Sequence, residues 1–182
     1  MIYTAKELIE LGETEYSIRK KVTSGELFIL ERGIYSTDSD NSFVDEVYIS
    51  KKYPNAIITG LSAFYIYDLT DHIPDYFYLS TEQHSFPIRR KDVKQSYQDS
   101  SFFEVGVTTK QFDSGSIRIY DLERLLIEII RLKEKCPREL YYEVISSFRR
   151  IKNKIDFYKV NKYLESFSNG DSLLQKIKEI IL

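Results

Sequence analysis

The residue types best suited to chemistry cluster in one short stretch, where Tyr16, Ser17, Arg19, Lys20 and Lys21 follow Thr14 and precede Arg32. Side chains of this kind suit nucleic acid. Arg19, Lys20, Lys21 and Arg32 neutralise phosphates and release condensed counterions, which sets position on a duplex without reading its sequence. Tyr16 and Ser17, earlier in the stretch, are suited to base edges. Glu13 and Glu15 would repel phosphate; they are read as stabilising the start of a helix, with acceptance from a cytosine amine as the competing role. A second basic run, Arg149, Arg150, Lys152 and Lys154 continued by Lys159 and Lys162, is read first as a solvated surface and otherwise as a second surface for DNA.

Other chemistries have weaker grounds. His72 and His84 have no partner histidine or cysteine at ligand spacing, so they are read as structural or surface residues and no metal site or cofactor is expected. Gly60-Leu61-Ser62 followed by Asp68 and Asp71 is faintly like the glycine-serine and paired-aspartate pattern of nucleotidyltransferases, but the distance is too short. Asp121 with Glu123 could suggest metal-bound carboxylates; helix capping accounts for the first and solvent for the second. Cys136, before Pro137 and without a histidine nearby in sequence, is read as inert. With no glycine-rich phosphate loop or nucleophile elbow, the expectation is a protein that is not an enzyme.

To act together, the basic side chains need helices of defined phase. Thr4 with Glu7 makes a capping box and Tyr3 can staple onto Leu8, which predicts a helix from Ala5 to Gly12, led into directly by Met1-Ile2-Tyr3. Ala5, Leu8 and Ile9, with Leu11 beside them, are placed on its inner face, and Lys6, Glu7 and Glu10 in solvent. Thr14 caps a second helix with Ile18 and Val22 inward, ending at Gly25. Leu27–Glu31 and Ile34–Thr37 read as strands joined by a tight Arg32-Gly33 turn. Two helices and a hairpin in this order are the parts of a winged helix-turn-helix, expected over 1–37.

The polar run Asp38–Ser42 is the expected linker, with a second domain over 43–182. There Phe43, Val44, Val47 and Tyr48 keep helical spacing up to Tyr53-Pro54-Asn55, and Ala56–Thr59 reads as a buried strand. A helical stretch over Leu61–Leu69 and strands over Tyr76–Ser80, Phe102–Thr108 and Ser116–Tyr120 follow, with no element assigned from Gln83 to Ser101. From 121 to 182 the pattern is helical. The first of these helices is capped by Asp121 and buries Leu122, Leu125, Leu126, Ile129 and Ile130. Three more carry Leu140, Val144, Ile145 and Phe148; Phe157, Val160, Leu164 and Phe167; and Leu173, Leu174, Ile177 and Ile181. The fold class is α+β, a winged helix-turn-helix followed by a mixed α/β domain that ends in a helical tail.

Composition sets limits. The net charge of -2 over 182 residues gives no global basic field, so a nucleic-acid reading rests on local charge. Along the chain there are 5 basic and 6 acidic residues to Thr37, 8 and 12 from there to Tyr120, and 13 and 10 beyond. The last third is the basic part. A single cysteine excludes an internal disulfide and fits a reducing compartment, and no run approaches the ~18 apolar residues of a membrane span. A cytoplasmic protein with no membrane association is expected.

The hairpin residues Arg32–Tyr35, the block Tyr53–Pro74 (YPNAIITGLSAFYIYDLTDHIP) and the helix start Tyr120–Arg131 (YDLERLLIEIIR) together resemble the AbiEi antitoxins. These are transcriptional autoregulators of bacterial type IV toxin–antitoxin, or abortive phage infection, systems. The resemblance implies a winged helix that binds the promoter of its own operon, with Thr14, Tyr16, Ser17, Arg19, Lys20 and Lys21 on the recognition helix and Arg32 on the wing. It also implies an antitoxin domain that counters a nucleotidyltransferase-like toxin without a stable complex, which makes an antitoxic role the other use of the basic run at Arg149–Lys162. Many relatives carry an additional leading helix, for which Thr4 lies too near Met1. So small a motif has little core of its own and is expected to dock on the following domain or on a second copy, at least on DNA. The alternatives are a nuclease-like or nucleotidyltransferase defence enzyme built on the Phe43–Tyr120 sheet, and a protein-interaction module that never meets DNA.

Overall fold

A computed structural model describes residues 1–39 and 46–181. The fold is α+β with two sheets, and the chain divides into two compact units, 1–55 with 109–118 and 56–108 with 119–182. This division does not fall in the expected linker; residues 40–42 of that linker, with Phe43 and Val44, lie outside the described residues. Among the described residues no helix is long and apolar enough to cross a membrane.

The first unit starts from the expected capping box. The Glu7 N–H donates to Thr4 Oγ1 (3.2 Å) and the Thr4 N–H to Glu7 Oε2 (2.8 Å). In chain order the elements are β1 (Ile2–Thr4), α1 (Ala5–Glu10), α2 (Glu15–Thr23), β2 (Phe28–Glu31), β3 (Ile34–Ser36) and α3 (Glu46–Lys52). The sheet order is β1-β3-β2, antiparallel throughout, with Tyr3 opposite Tyr35 and Ile29 opposite Tyr35 on the other side. Strand β1 is unexpected: three residues are too few for a periodic signal, and pairing with β3 is what makes them a strand. Leu8, Ile18 and Leu27 form one apolar cluster under the two helices, covered by Tyr3, Val22 and Tyr35.

The inner face assigned to α1 is partly wrong. Only Leu8 is buried in it, and Ile9 and Leu11 stay 50% and 68% exposed. Glu7 is not in solvent; besides capping α1 it pairs with Lys51 of α3. Tyr48 Oη donates to Glu31 Oε2 (2.8 Å), Lys52 pairs with the same carboxylate, and the Ile2 N–H reaches the Ser114 carbonyl (2.7 Å). The N-terminal motif is thus completed by α3 and by 109–118, both expected in the following domain.

The remaining elements are β4 (Ile57–Ile58), α4 (Gly60–Ile66), β5 (Phe77–Glu82), β6 (Val93–Gln98), α5 (Ser100–Phe103), β7 (Val107–Phe112), β8 (Gly115–Tyr120), α6 (Leu122–Arg131), α7 (Arg138–Arg150), α8 (Phe157–Leu164) and α9 (Gly170–Ile181). The five-stranded sheet has the order β6-β5-β4-β8-β7. β4 is antiparallel to β5 and parallel to β8, and β6 runs parallel to β5 over six residue pairs. Two expectations are corrected here. The stretch left unassigned holds β6, and the strand expected at Phe102–Thr108 is instead α5, capped by Asp99, followed by a turn into β7.

Helix α6 is buried on nearly every side. Leu125, Leu126, Ile129 and Ile130 are inside as its period requires and Leu122 is half-buried, but Glu123, Arg124, Ile127 and Glu128, off that face, are buried as well. Arg124 is fully buried. Its Nε donates to Glu128 Oε1 (2.8 Å) and its Nη1 to the carbonyls of Phe102 (2.5 Å) and Val105 (3.1 Å). Nη2 lies 2.7 Å from Glu128 Oε1 but off the hydrogen-bonding direction, so that contact is ionic only. The guanidinium sits over Tyr120, Phe167 and Phe102, with centroids at 4.5, 5.1 and 5.4 Å. Gly106 turns the chain here at φ +78°, and a Cβ on it would stand 2.5 Å from Arg124 Cβ. Glu123, expected in solvent, accepts the Asp156 N–H (2.9 Å). Asp121 caps α6 as expected and also accepts from Tyr163 Oη (2.8 Å).

Removing one member of a buried, hydrogen-bonded ion pair strands the other. Arg124→Ala is expected to lower the unfolding free energy by about 3–5 kcal/mol. Urea unfolding followed by circular dichroism checks it, against an exposed Lys152→Ala control expected within about 0.5 kcal/mol of the parent.

Candidate nucleic-acid interface

Thr14 and Ser17 cap α2 reciprocally: the Ser17 N–H donates to Thr14 Oγ1 (3.1 Å) and the Thr14 N–H to Ser17 Oγ (2.8 Å). The cap fixes where α2 begins, and hence the phase of every residue after it. Ile18 and Val22 then face the core, with Ile18 buried against Leu8 and Leu27. Tyr16, Arg19, Lys20 and Thr23 are spaced i, i+3, i+4 and i+7 and form one exposed stripe, on which Tyr16 is 77% exposed. The third side holds Thr14, Ser17 and Lys21.

Not all of the expected DNA-contacting residues are equally free. Lys21 pairs with Glu13, and Ser17 Oγ donates to Glu13 Oε2 (2.6 Å). Hydrogen bonds from Lys21 and Ser17 hold the Glu13 carboxyl below the usual range, and the same bond holds the Lys21 ammonium above its own. Glu13 therefore stabilises the helix start, as expected, and it does so by engaging two of the expected contact residues. Among the described residues no ion pair involves Arg19, Lys20 or Arg32. Arg32 is exposed on the two-residue turn between Glu31 and Ile34, where Gly33 adopts φ +83°.

The residues that sequence reasoning missed are Lys51, Lys52 and Tyr48. They take up Glu7 and Glu31 at separations of 44, 21 and 17 positions, for which no local spacing gives a signal. Burial alone would raise the Glu7 carboxyl, but hydrogen bonds from Lys51 and Thr4 outweigh it and hold the group below 4.5. The Glu31 hydrogen bond raises Lys52.

In the second unit, Arg149, Arg150, Lys152, Lys154, Lys159 and Lys162 are all exposed, on the end of α7, the following turn and α8. Arg149 Nε donates to the Ile180 carbonyl (2.7 Å), Arg150 Nη2 to Ser147 Oγ (2.8 Å), and Lys159 lies 3.9 Å from Asp121. In the Gly60-Leu61-Ser62 stretch, buried Ser62 bridges the Tyr76 carbonyl and the Tyr78 N–H. His72 and His84 are exposed, and burial pushes the Cys136 thiol up. Among the described residues no three His, Cys, Asp or Glu side chains gather as metal ligands. A cleft of about 620 Å³ does open between α4, β5, β6, α6 and α7, and it brings Asp75, Glu128, Glu139 and Glu143 together with Lys94 and Lys135.

No family model matches the sequence, and no curated protein matches it.

The Glu7 contacts give a pH dependence with a defined sign. Its folded value lies below the unfolded 4.5, so its stabilisation is present above that value and is lost as pH falls through the folded one. Thermal unfolding of the parent is expected to lose more stability between about pH 5 and 3 than that of Glu7→Gln. Parallel pH profiles would overturn the assignment.

Proposed function

We propose that this protein is a sequence-specific, DNA-binding transcriptional repressor that autoregulates a toxin–antitoxin operon and counters a nucleotidyltransferase-like toxin. The first unit is read as a winged helix-turn-helix, with α1 as support, α2 as recognition helix and the β2–β3 hairpin as wing. The observation that carries this reading is the stripe of Tyr16, Arg19, Lys20 and Thr23: it is exposed, it lies opposite the core face, and its two cations have no ionic partner among the described residues.

Inserted into a major groove, such a helix places Arg19 and Lys20 on phosphates and Tyr16 toward base edges. Arg32 reaches the backbone beside the groove. Lys21 and Ser17 contribute less, because Glu13 already engages them. The exposed cations from Arg149 to Lys162 are a second surface for the same polyanion or for the antitoxic role. The antitoxin and operon parts of the proposal, with a cytoplasmic location, self-association on DNA and a toxin countered without a stable complex, are supported by the resemblance of the Arg32–Tyr35, Tyr53–Pro74 and Tyr120–Arg131 blocks to AbiEi antitoxins.

A second reading, a nucleotidyltransferase-like enzyme, is favoured by one observation, the carboxylates and lysines that share the second unit's cleft. Transfer of label from α-labelled nucleoside triphosphates to RNA by the purified chain would support it.

Gel shifts against the DNA upstream of the gene test the first reading. Arg19→Ala and Lys20→Ala are each expected to weaken binding and to reduce the salt slope by about 1, whereas Tyr16→Ala costs about 1–3 kcal/mol of discrimination between operator and scrambled DNA. Lys21→Ala changes the slope less than either. Undiminished binding by the Arg19→Ala, Lys20→Ala double variant would refute the reading.

A further inference from the structure

The cleft of the second unit is built around one buried carboxylate with a free oxygen. Glu128 is 3% exposed, and every guanidinium contact it receives falls on Oε1: Arg124 Nε (2.8 Å), Arg124 Nη2 (2.7 Å) and Arg131 Nη1 (3.1 Å). Oε2 receives none among the described residues, and Glu128 lines the cleft. A buried acceptor left open toward a cavity is suited to a ligand's N–H groups.

The cleft has two lobes that share, among others, Tyr78, Lys94, Glu128 and Lys135. One, of about 600 Å³, is basic: Lys94, Arg131 and Lys135 line it, and Glu128 is its single carboxylate. Neither Lys94 nor Lys135 has a carboxylate partner among the described residues; the Lys94 ammonium rests over the Tyr76 ring at 4.1 Å instead. The other lobe, of about 620 Å³, has an apolar wall of Leu61, Phe64, Ile129 and Leu140, with Asp75, Glu139 and Glu143 on the same lining. The charges that the lobes do not share orient an occupant: Arg131 lines only the first, and Asp75, Glu139 and Glu143 only the second. An anionic group belongs at the Arg131 end of the two lysines and is repelled by the acidic lobe, while a flat apolar body carrying amine donors suits the acidic lobe and Glu128.

We infer that the second unit binds a nucleotide whose base carries an exocyclic amine, with the phosphate held by Lys94 and Lys135 and the base N–H groups donated to Glu128 Oε2. The step is recognition only, with no bond made or broken. It stands apart from the DNA reading, which concerns the first unit.

Isothermal titration of the full chain with AMP, GMP, CMP and UMP, the matching nucleosides, and inorganic phosphate tests it. Saturable binding is expected for at least one of the three amine-bearing nucleotides, with UMP, the corresponding nucleoside and inorganic phosphate each weaker than it by about tenfold or more. Glu128 also anchors Arg124, so the exposed lysines carry the mutational test: Lys94→Ala and Lys135→Ala are each expected to weaken that nucleotide about tenfold while leaving nucleoside binding and the circular dichroism spectrum unchanged. Absence of binding at millimolar nucleotide, phosphate binding as tightly as nucleotide, UMP binding as tightly as the others, or lysine variants with parent affinity would each overturn the proposal.

Discussion

The second unit depends on the burial of one charge. Arg124 is fully enclosed, and a guanidinium with no access to water is tolerated only where its N–H groups and its charge are both answered. Glu128 supplies the charge and the carbonyls of Phe102 and Val105 supply acceptors, which requires the chain after α5 to end its helix and turn at one place. Gly106 makes that turn where no side chain would fit. The stacked rings of Phe102 and Phe167, 4.6 Å apart, bring the tail between α8 and α9 onto the same guanidinium. Such a pair adds less to net stability than its contacts suggest, since desolvation offsets most of the attraction. Its stronger effect is on uniqueness: any other packing of α5, α6 and the tail would leave the charge unanswered.

In the first unit the constraint is electrostatic bookkeeping at the surface. The segment to Thr37 is net acidic by count, yet three of its six acids, Glu7, Glu13 and Glu31, are paired with lysines, two of which lie in α3. A fourth, Glu10, lies 3.7 Å from Lys6. What remains unpaired on the exposed side of α2 is a stripe with cations at Arg19 and Lys20, with Glu15 on the first turn beside it. Local charge in the folded unit therefore differs from local charge in the sequence, because two of the segment's acids, Glu7 and Glu31, are answered by lysines from outside the segment. Exposed pairs of this sort are individually weak, so their value lies in holding α3 against a motif whose apolar core is as small as Leu8, Ile18 and Leu27.

Features set by neighbours in sequence were legible, and features set by distant partners were not. Both N-terminal caps, the Arg32-Gly33 turn, the buried β4 and the Asp121 cap follow from spacing alone and stand as read. Ile9 and Leu11 were misassigned because a six-residue helix has room for one inward position, which Leu8 takes. Strand β6, VKQSYQ, carries almost no apolar pattern; it is a sheet-edge strand specified by its backbone ladder to β5. Helical periodicity assigns charged residues to solvent by default, so Glu123, Arg124 and Glu128 could not be recognised as buried until their partners were in place. The stripe on α2 was legible as a set of residues, but its division into free and engaged members required Glu13.

Glu128 connects the two halves of this reasoning. One of its oxygens answers Arg124 and Arg131, the other receives no contact among the described residues, and the residue lines the cleft. A donor at the second oxygen acts on the same carboxylate that neutralises the buried guanidinium, so ligand binding and the integrity of α6 are linked through one group. By mass action a ligand that binds only the folded unit raises its stability in proportion to the logarithm of ligand concentration over Kd. The linkage is reciprocal: whatever loosens the contact between α5 and α6 also displaces the acceptor in the cleft. The same guanidinium rests over Phe102 and Phe167, so the carboxylate proposed to meet the ligand is also the one that holds α5 and the tail against α6.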